Sequence, residues 1–345
     1  MRHYWPLALA LCVLAKADDI TPRVGLIEVY GARKVSAEKI RSAIQAKAGD
    51  RLPSREQAEE RIDKLSGILA SRVEAACCSN RNMILYVGVQ ERDAPHVEYN
   101  PAPTSDVQLP ASLYESYRSL LDSVEASLRG RNADEDLTNG YSLMADPESR
   151  ELQQSFLPAV EQNLVVLDKV IRQSADAEQR AAAAYLLQYG PRGPHVIRTT
   201  IDALQYALRD QEDMVRENAI HSLHAIELGA KLHPNQGIQL EPTWFVELMN
   251  SVVWSDRRNA SLVLVDITES RNPDTLQLLR DRALPSVLEM ARWHDLKHAL
   301  PAFILAGRLA GMDEKAIKQA WLGDDRETVL KEALKRQGKH FKYEN

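Results

Sequence analysis

The first ordered pattern in the chain is Val24-Gly25-Leu26-Ile27-Glu28-Val29-Tyr30-Gly31, a β-branched and apolar stretch closed by glycine, which predicts a strand running into a turn. Helical spacing follows. Ile40, Ala43, Ile44 and Ala48 recur behind Ser36 and Glu38, and Gly49-Asp50 supplies the stop. Ser54 opens a second helix, with Gln57 at the capping-box position and Ala58, Ile62, Leu65, Ile68 and Leu69 as its apolar stripe. Period two returns at Val73, Ala75 and Cys77 and across Met83 to Val89, with Asn80-Arg81-Asn82 between the two runs, so a hairpin is expected. The order strand, helix, helix, strand, strand makes an α+β module whose helices share one face of a sheet.

Breakers then concentrate at Pro95, Pro101, Pro103 and Pro110 and mark a linker over 94–112. Beyond it the rhythm is helical almost throughout, starting with Leu113, Tyr117, Leu120, Leu121, Val124 and Leu128 and resuming with Leu152, Phe156, Leu157, Val160, Leu164 and Leu167. The polar stretch from Gly130 to Asn139 reads as a loop, and Tyr141-Ser142-Leu143-Met144 as a segment folding back on a neighbour. A repeat emerges when a basic residue is aligned with a small or apolar one three places on: Arg180 with Ala183, Arg216 with Ala219, Arg257 with Ala260, Lys297 with Leu300. An apolar residue follows each basic one by seven places, at Leu187, Leu223, Leu264 and Ile304. That is the spacing of stacked helical pairs, in which the small residue allows close approach and the later one shares the buried stripe.

The first module resembles the polypeptide-transport-associated (POTRA) domain family. The likeness lies in Ile27-Glu28-Val29-Tyr30-Gly31 followed by Val35-Ser36-Ala37-Glu38-Lys39-Ile40, in Lys47-Ala48-Gly49-Asp50, and in the closing Tyr86-Val87-Gly88-Val89-Gln90-Glu91. The resemblance implies a protein-docking role in which an open sheet edge accepts a strand from another chain. The second half is similar to the HEAT-repeat, armadillo-like family, most clearly at Asp213-Met214-Val215-Arg216-Glu217-Asn218-Ala219-Ile220-His221-Ser222-Leu223. That likeness implies an all-α superhelical solenoid, with Arg180, Asp213, Arg216, Asp256, Arg257 and Lys297 forming packing ladders between repeats. Lysine and leucine at the fourth position, in place of arginine and alanine, suggest a capping repeat.

Charge and the amino terminus change the picture by adding an address. Arg2, the apolar run Leu7 to Leu14 and Ala15-Lys16-Ala17 have the form of a signal peptide cleaved before Asp18. Cys12 follows Leu11 where a lipoprotein signal prefers a small residue, so lipid anchoring is disfavoured. The chain carries 43 basic and 49 acidic residues, a formal net charge of -6, which disfavours nucleic acid as a partner. No apolar run approaches the roughly twenty residues needed to span a membrane.

Candidate chemistry is sparse. Cys77-Cys78 is a redox candidate, but neighbouring strand residues point to opposite faces, so two separate thiols are expected rather than a bridge. His221 with His224, and His294 with His298, each supply only two potential metal ligands on one helix face. Nucleophile-elbow, Walker and dinucleotide glycine patterns are absent. Asp324-Asp325 reads as a helix cap. Tyr30, Tyr86, Trp244, Trp254 and Trp293 are candidate interaction residues, because aromatic side chains offer large contact area.

The sequence therefore reads as a signal peptide over 1–17, a POTRA-like β-α-α-β-β domain over 18–93, a linker over 94–112, a helical connecting region over 113–174, HEAT-like repeats over 175–337 and a flexible tail over 338–345. The expected role is a non-enzymatic interaction or scaffold protein of the bacterial cell envelope, periplasmic or secreted. A protein partner in the envelope is expected, with no nucleic acid, no cofactor and no catalytic or metal residues. The alternative is a periplasmic metal-dependent enzyme with a site assembled on the repeats.

Overall fold

The computed structural model describes residues 22–79, 82–130, 134–234, 237–323 and 325–340. The expected leader, with its cleavage site and Cys12, lies outside them. The amino-terminal module has the expected order: β1 (Val24–Tyr30), α1 (Ala37–Ile44), α2 (Arg55–Asp63), β2 (Ile68–Ser79) and β3 (Asn82–Glu91). Ser36 and Ser54 cap α1 and α2 by accepting from the backbone N–H of Lys39 and Gln57. The helix expected to carry Ile68 and Leu69 stops short of them. Gly67 takes a left-handed φ of 98° that ends the helical run, and both residues open β2 instead.

The sheet order is β1-β3-β2, with β1 parallel and β2 antiparallel to the central β3. One face packs on α1 and α2, where Leu85, Val87 and Val89 meet Ile40, Ile44, Ala58 and Ile62. The other face is covered too. Tyr30, Ala76, Ile84 and Tyr86 belong to the core of the helical half. Period two in β3 therefore does not separate a buried face from a wet one, and the unbroken apolar run Met83 to Val89 has the composition of a strand buried on both sides.

The helical half comprises α3 (Ala111–Gly130), α4 (Pro147–Gln173), α5 (Ala177–Leu186), α6 (Pro194–Ala207), α7 (Asp213–Leu232), α8 (Thr243–Leu248), α9 (Trp254–Ile267), α10 (Pro273–Met290), α11 (Leu296–Leu309), α12 (Glu314–Leu322) and α13 (Arg326–His340). Helices α5, α7, α9, α11 and α13 pack in succession as one layer, and α4, α6, α8 and α10 back them as a second. This is a repeat-packed solenoid with a continuous apolar core. The fold-back expected at Leu143-Met144 is a short strand, β5 (Leu143–Met144), paired with β4 (Glu135–Asp136). Helix α13 continues to His340, past the expected start of the tail.

The segment expected as a linker is an extended strap pinned across the ends of the solenoid helices. Asn100 N–H donates to the Arg209 carbonyl at 2.7 Å, and Ser105 exchanges backbone hydrogen bonds with Gln173 and Ala175 at 3.0 and 2.7 Å. Leu109 N–H donates to Gln179 Oε1 at 2.9 Å. Prolines suit such a path because each removes a backbone donor that an isolated extended segment would leave unpaired.

Candidate functional site

The repeated arginines work inside the solenoid. Arg180, Arg216 and Arg257 are each the fourth residue of their helix, and each reaches back to carbonyls in the turn before it: Ser174 and Ala175, Asp210 and Gln211, and Ser251. Each also pairs with an acid of the next repeat. The partners are Asp210 at 2.7 Å, Asp256 at 2.8 Å and Glu289 at 3.1 Å. Burial works against the charge on Arg216, and the Asp256 carboxylate beside it more than offsets that, raising the guanidinium above its ordinary value. Asp213 takes no rung of this ladder, its carboxylate turning to the N–H of Met214, and Lys297 is exposed. A lysine cannot form the two-pronged fork, and in the turn before α11 the carbonyls of Ala291 and Trp293 are held by Arg326 of α13 instead.

Four of the five aromatic candidates meet at one internal joint between module and solenoid. Tyr86 stacks on Trp254 with ring centroids 4.7 Å apart and lies 5.0 Å from Trp293, which in turn meets Tyr30 edge-on at 5.8 Å. Tyr30 donates its hydroxyl to the Val252 carbonyl at 2.7 Å, and the Arg257 guanidinium lies 4.5 Å over its ring. Tyr30 crosses Gly88 on the way. A Cβ at Gly88 would sit 2.0 Å from the Val252 oxygen and 2.6 Å from the Tyr30 hydroxyl, so glycine is required there for close approach. Trp244 is elsewhere, half-buried under Arg209 at 4.2 Å.

Two carboxylates inside strands complete the joint. Glu28 of β1 and Glu74 of β2 are both cross-strand partners of Tyr86, so a single row Glu28, Tyr86, Glu74 spans the sheet. Helix α9 begins after Val253, which has no side chain able to cap it. Glu74 does so from the module, accepting the N–H of Trp254. Glu28 accepts the N–H of His294 at 2.6 Å and contacts its Nδ1 at 2.8 Å in the turn before α11. In return Glu289 of α10 accepts the N–H of Gly31 at 3.0 Å. Between the two acids, the Tyr86 hydroxyl and His298 Nδ1 share a hydrogen bond at 2.7 Å. The missing cap at Val253 and the acids at strand positions 28 and 74 are the signals that sequence reading passed over, since acids are depleted in strands and demand partners when buried.

The remaining candidates do not converge. His221 contacts Glu135 and His224 contacts Asp266, each at 2.9 Å, so the two histidines serve different acids. No group of three or more His, Cys, Asp or Glu that could hold a metal occurs among the described residues. Cys77 is exposed and disulfide-bonded, which replaces the expected free thiol. A cleft of 640 Å³ between α7, α8 and α10 is lined by Glu227, Glu241, Asp266, Glu269 and Asp274, with Lys231 bridging Asp266 and Glu269. No described helix is long and apolar enough to cross a membrane.

Among the described residues, one sheet edge carries no further strand. Strand β2 is twelve residues long and pairs with β3 on one side only. Its Val73 N–H points away from β3 to Glu59 Oε1 at 2.9 Å, so by alternation the exposed Ala75 presents its backbone on the same outer side.

No family model matches the chain, and no curated protein does. Solved structures are similar to part of the chain. A designed armadillo repeat protein in complex with the peptide (KR)4 is 16% identical, over 66% of this chain and 100% of that one, with a TM-score of 0.37. An engineered structural-genomics target is 14% identical, over 67% and 98%, at 0.35. A second designed armadillo repeat protein is 16% identical, over 65% and 99%, at 0.37. At these TM-scores the superpositions carry no argument, and the solenoid assignment rests on the helix packing described above.

Proposed function

We propose that this chain is an exported, non-enzymatic docking scaffold of the bacterial cell envelope, in which a POTRA-like module accepts a strand of a partner protein along the outer edge of β2. The observation that carries this reading is the division of labour in the sheet. Its α1/α2 face builds the module's core, and its other face is spent on the solenoid. The β1 edge is flanked by residues 49–51, through Val24 N–H to the Asp50 carbonyl, and by the turn before α11. Apart from the Val73 N–H held by Glu59, the outer edge of β2 meets no strand among the described residues, and an open edge binds through main-chain pairing. The strap and the joint support a scaffold role because they hold that edge in a fixed relation to the solenoid. The leader-like residues 1–17 support export.

The test is crosslinking capture of partners in the producing cells, with crosslinkers placed along β2. Ala75→Pro removes the outward N–H and introduces a ring on the edge without touching a β3 bond. A defined envelope partner captured by the wild-type chain and by the remote control Lys318→Ala, but lost with Ala75→Pro, is the expected outcome. Equal capture by all three chains would reject docking at β2, and no capture from exported, folded protein would reject the scaffold reading.

A further inference from the structure

We propose that the cleft between α7, α8 and α10 binds a small linear polyamine, a ligand in which ammonium groups alternate with short methylene chains. This does not rest on the docking reading, because the cleft is lined by solenoid residues alone. Its 640 Å³ falls in the range of small-molecule sites. Five carboxylates, from Glu227, Glu241, Asp266, Glu269 and Asp274, face the single ammonium of Lys231, a surplus of four negative charges. The acids are spread along the walls, and among the described residues they form no group that could hold a metal ion. An extended cation with separated charges suits that layout better than a point charge. Leu240, Ile267 and Leu278 also line the cleft and offer methylene segments an apolar surface.

Two of the lining side chains lack partners of their own. Thr275 is 8% exposed, and its hydroxyl meets no hydrogen-bond partner among the described residues; only its backbone N–H is used, donated to Asn272 Oδ1 at 3.2 Å. A buried hydroxyl left unpaired costs free energy, and an ammonium N–H would satisfy its oxygen. Glu227 is half-buried and makes no hydrogen bond or ion pair among the described residues, whereas Asp266 is held by His224 and Lys231. Burial, and after it Asp266, pushes the Glu227 carboxyl above 4.5, and a cation beside it would relieve both.

Lys231 shows how the cleft treats an alkylammonium. Its Nζ lies 2.8 Å from Asp266 Oδ1 and also pairs with Glu269. Burial works against its charge, and the two carboxylates more than offset that. The last turns of α7 and α9 end at the cleft, and helix C-termini favour positive charge. The N-terminus of α10 would oppose a cation, but it is capped by Asn272, whose Oδ1 accepts the N–H groups of Asp274 and Thr275.

The experiment is isothermal titration calorimetry of the full chain with spermidine, repeated on Glu227→Gln, on Thr275→Val and on Glu161→Gln, which removes an exposed acid of α4 outside the cleft. The proposal predicts one site, weakened about tenfold by Glu227→Gln and about threefold by Thr275→Val, with Glu161→Gln unchanged. Both cleft substitutions keep the side-chain size, and each tests the site separately, so misfolding of one leaves the other decisive. A lysine-bearing segment of a protein carries the same ammonium chemistry, and trilysine is the probe for that source. Spermidine bound more tightly than trilysine supports the small ligand, and the reverse order overturns it. The absence of spermidine binding, an affinity unmoved in Glu227→Gln or in Thr275→Val, or binding abolished by magnesium chloride at an ionic strength where it persists in sodium chloride would each overturn the proposal.

Discussion

The two faces of the central strand β3 are held by different physics. Toward α1 and α2 it presents Leu85, Val87 and Val89, and what holds them is apolar burial. Toward the solenoid it presents Ile84, Tyr86 and Gly88, and there the fastening is a stacked tyrosine, a glycine that lets Tyr30 through, and acids on either flank that cap backbone N–H groups of the other half. The first face makes a module that buries its own core. The second makes that module part of a larger body, through contacts that add geometry and charge to apolar burial.

Substitutions on the two faces should therefore fail differently. Leu85→Ala removes buried volume from the module's own core and is expected to cost about 3 kcal/mol, read as early melting of the module by amide exchange while the solenoid stays protected. Gly88→Ala places a Cβ 2.0 Å from the Val252 oxygen, and an overpacked contact of this kind costs about 2 kcal/mol. Its loss should appear at the joint, as exposure of Trp254 and Trp293 to quencher, with the module's core intact. Glu74→Gln weakens the cap that α9 cannot make for itself and is expected to cost about 1 kcal/mol, seen as faster exchange at Trp254 and Ser255.

The smallest effect sharpens the comparison from the module's side. Glu91 accepts the backbone N–H groups of Arg33, Lys34 and Val35 at 2.8 to 2.9 Å. Burial would raise its carboxyl, and those three donors more than compensate, so it lies below 4.5. A depressed carboxylate contributes stability that is complete above 4.5 and is lost as pH falls through the folded value. Acid should loosen the β1–α1 turn only in that lower range, and Glu91→Gln should abolish that part of the pH dependence in urea melts.

How much could be read beforehand follows the same division. Ser36 and Ser54 marked their helices because capping is local, and the Arg180, Arg216 and Arg257 rhythm marked the solenoid because each repeat places arginine at the same turn. The joint was not legible as a joint. Tyr30, Tyr86, Trp254 and Trp293 stood out one by one as candidates for a partner's surface, but no spacing along the chain says that residue 86 will stack on residue 254. Asp213 looked equivalent to Asp256, yet the carboxylate that meets Arg180 comes from Asp210, because the fork's reach is fixed by the turn and not by the helix start. The Pro-rich segment advertised the absence of helix, which is local. Its pinning at Asn100, Ser105 and Leu109 depends on partners 70 or more residues away in most cases and was silent.

The most direct test of the central claim, that module and solenoid are one fastened body, is backbone amide exchange at Trp254 and His294 in the intact chain near neutral pH, compared with the double variant Glu28→Gln, Glu74→Gln. The account predicts that both amides are protected in the wild-type chain and exchange faster in the variant, while the cores around Leu85 and Leu223 remain protected in both. Exchange at Trp254 and His294 as fast as in an open turn in the wild-type chain, or protection unaffected by the double substitution, would contradict it.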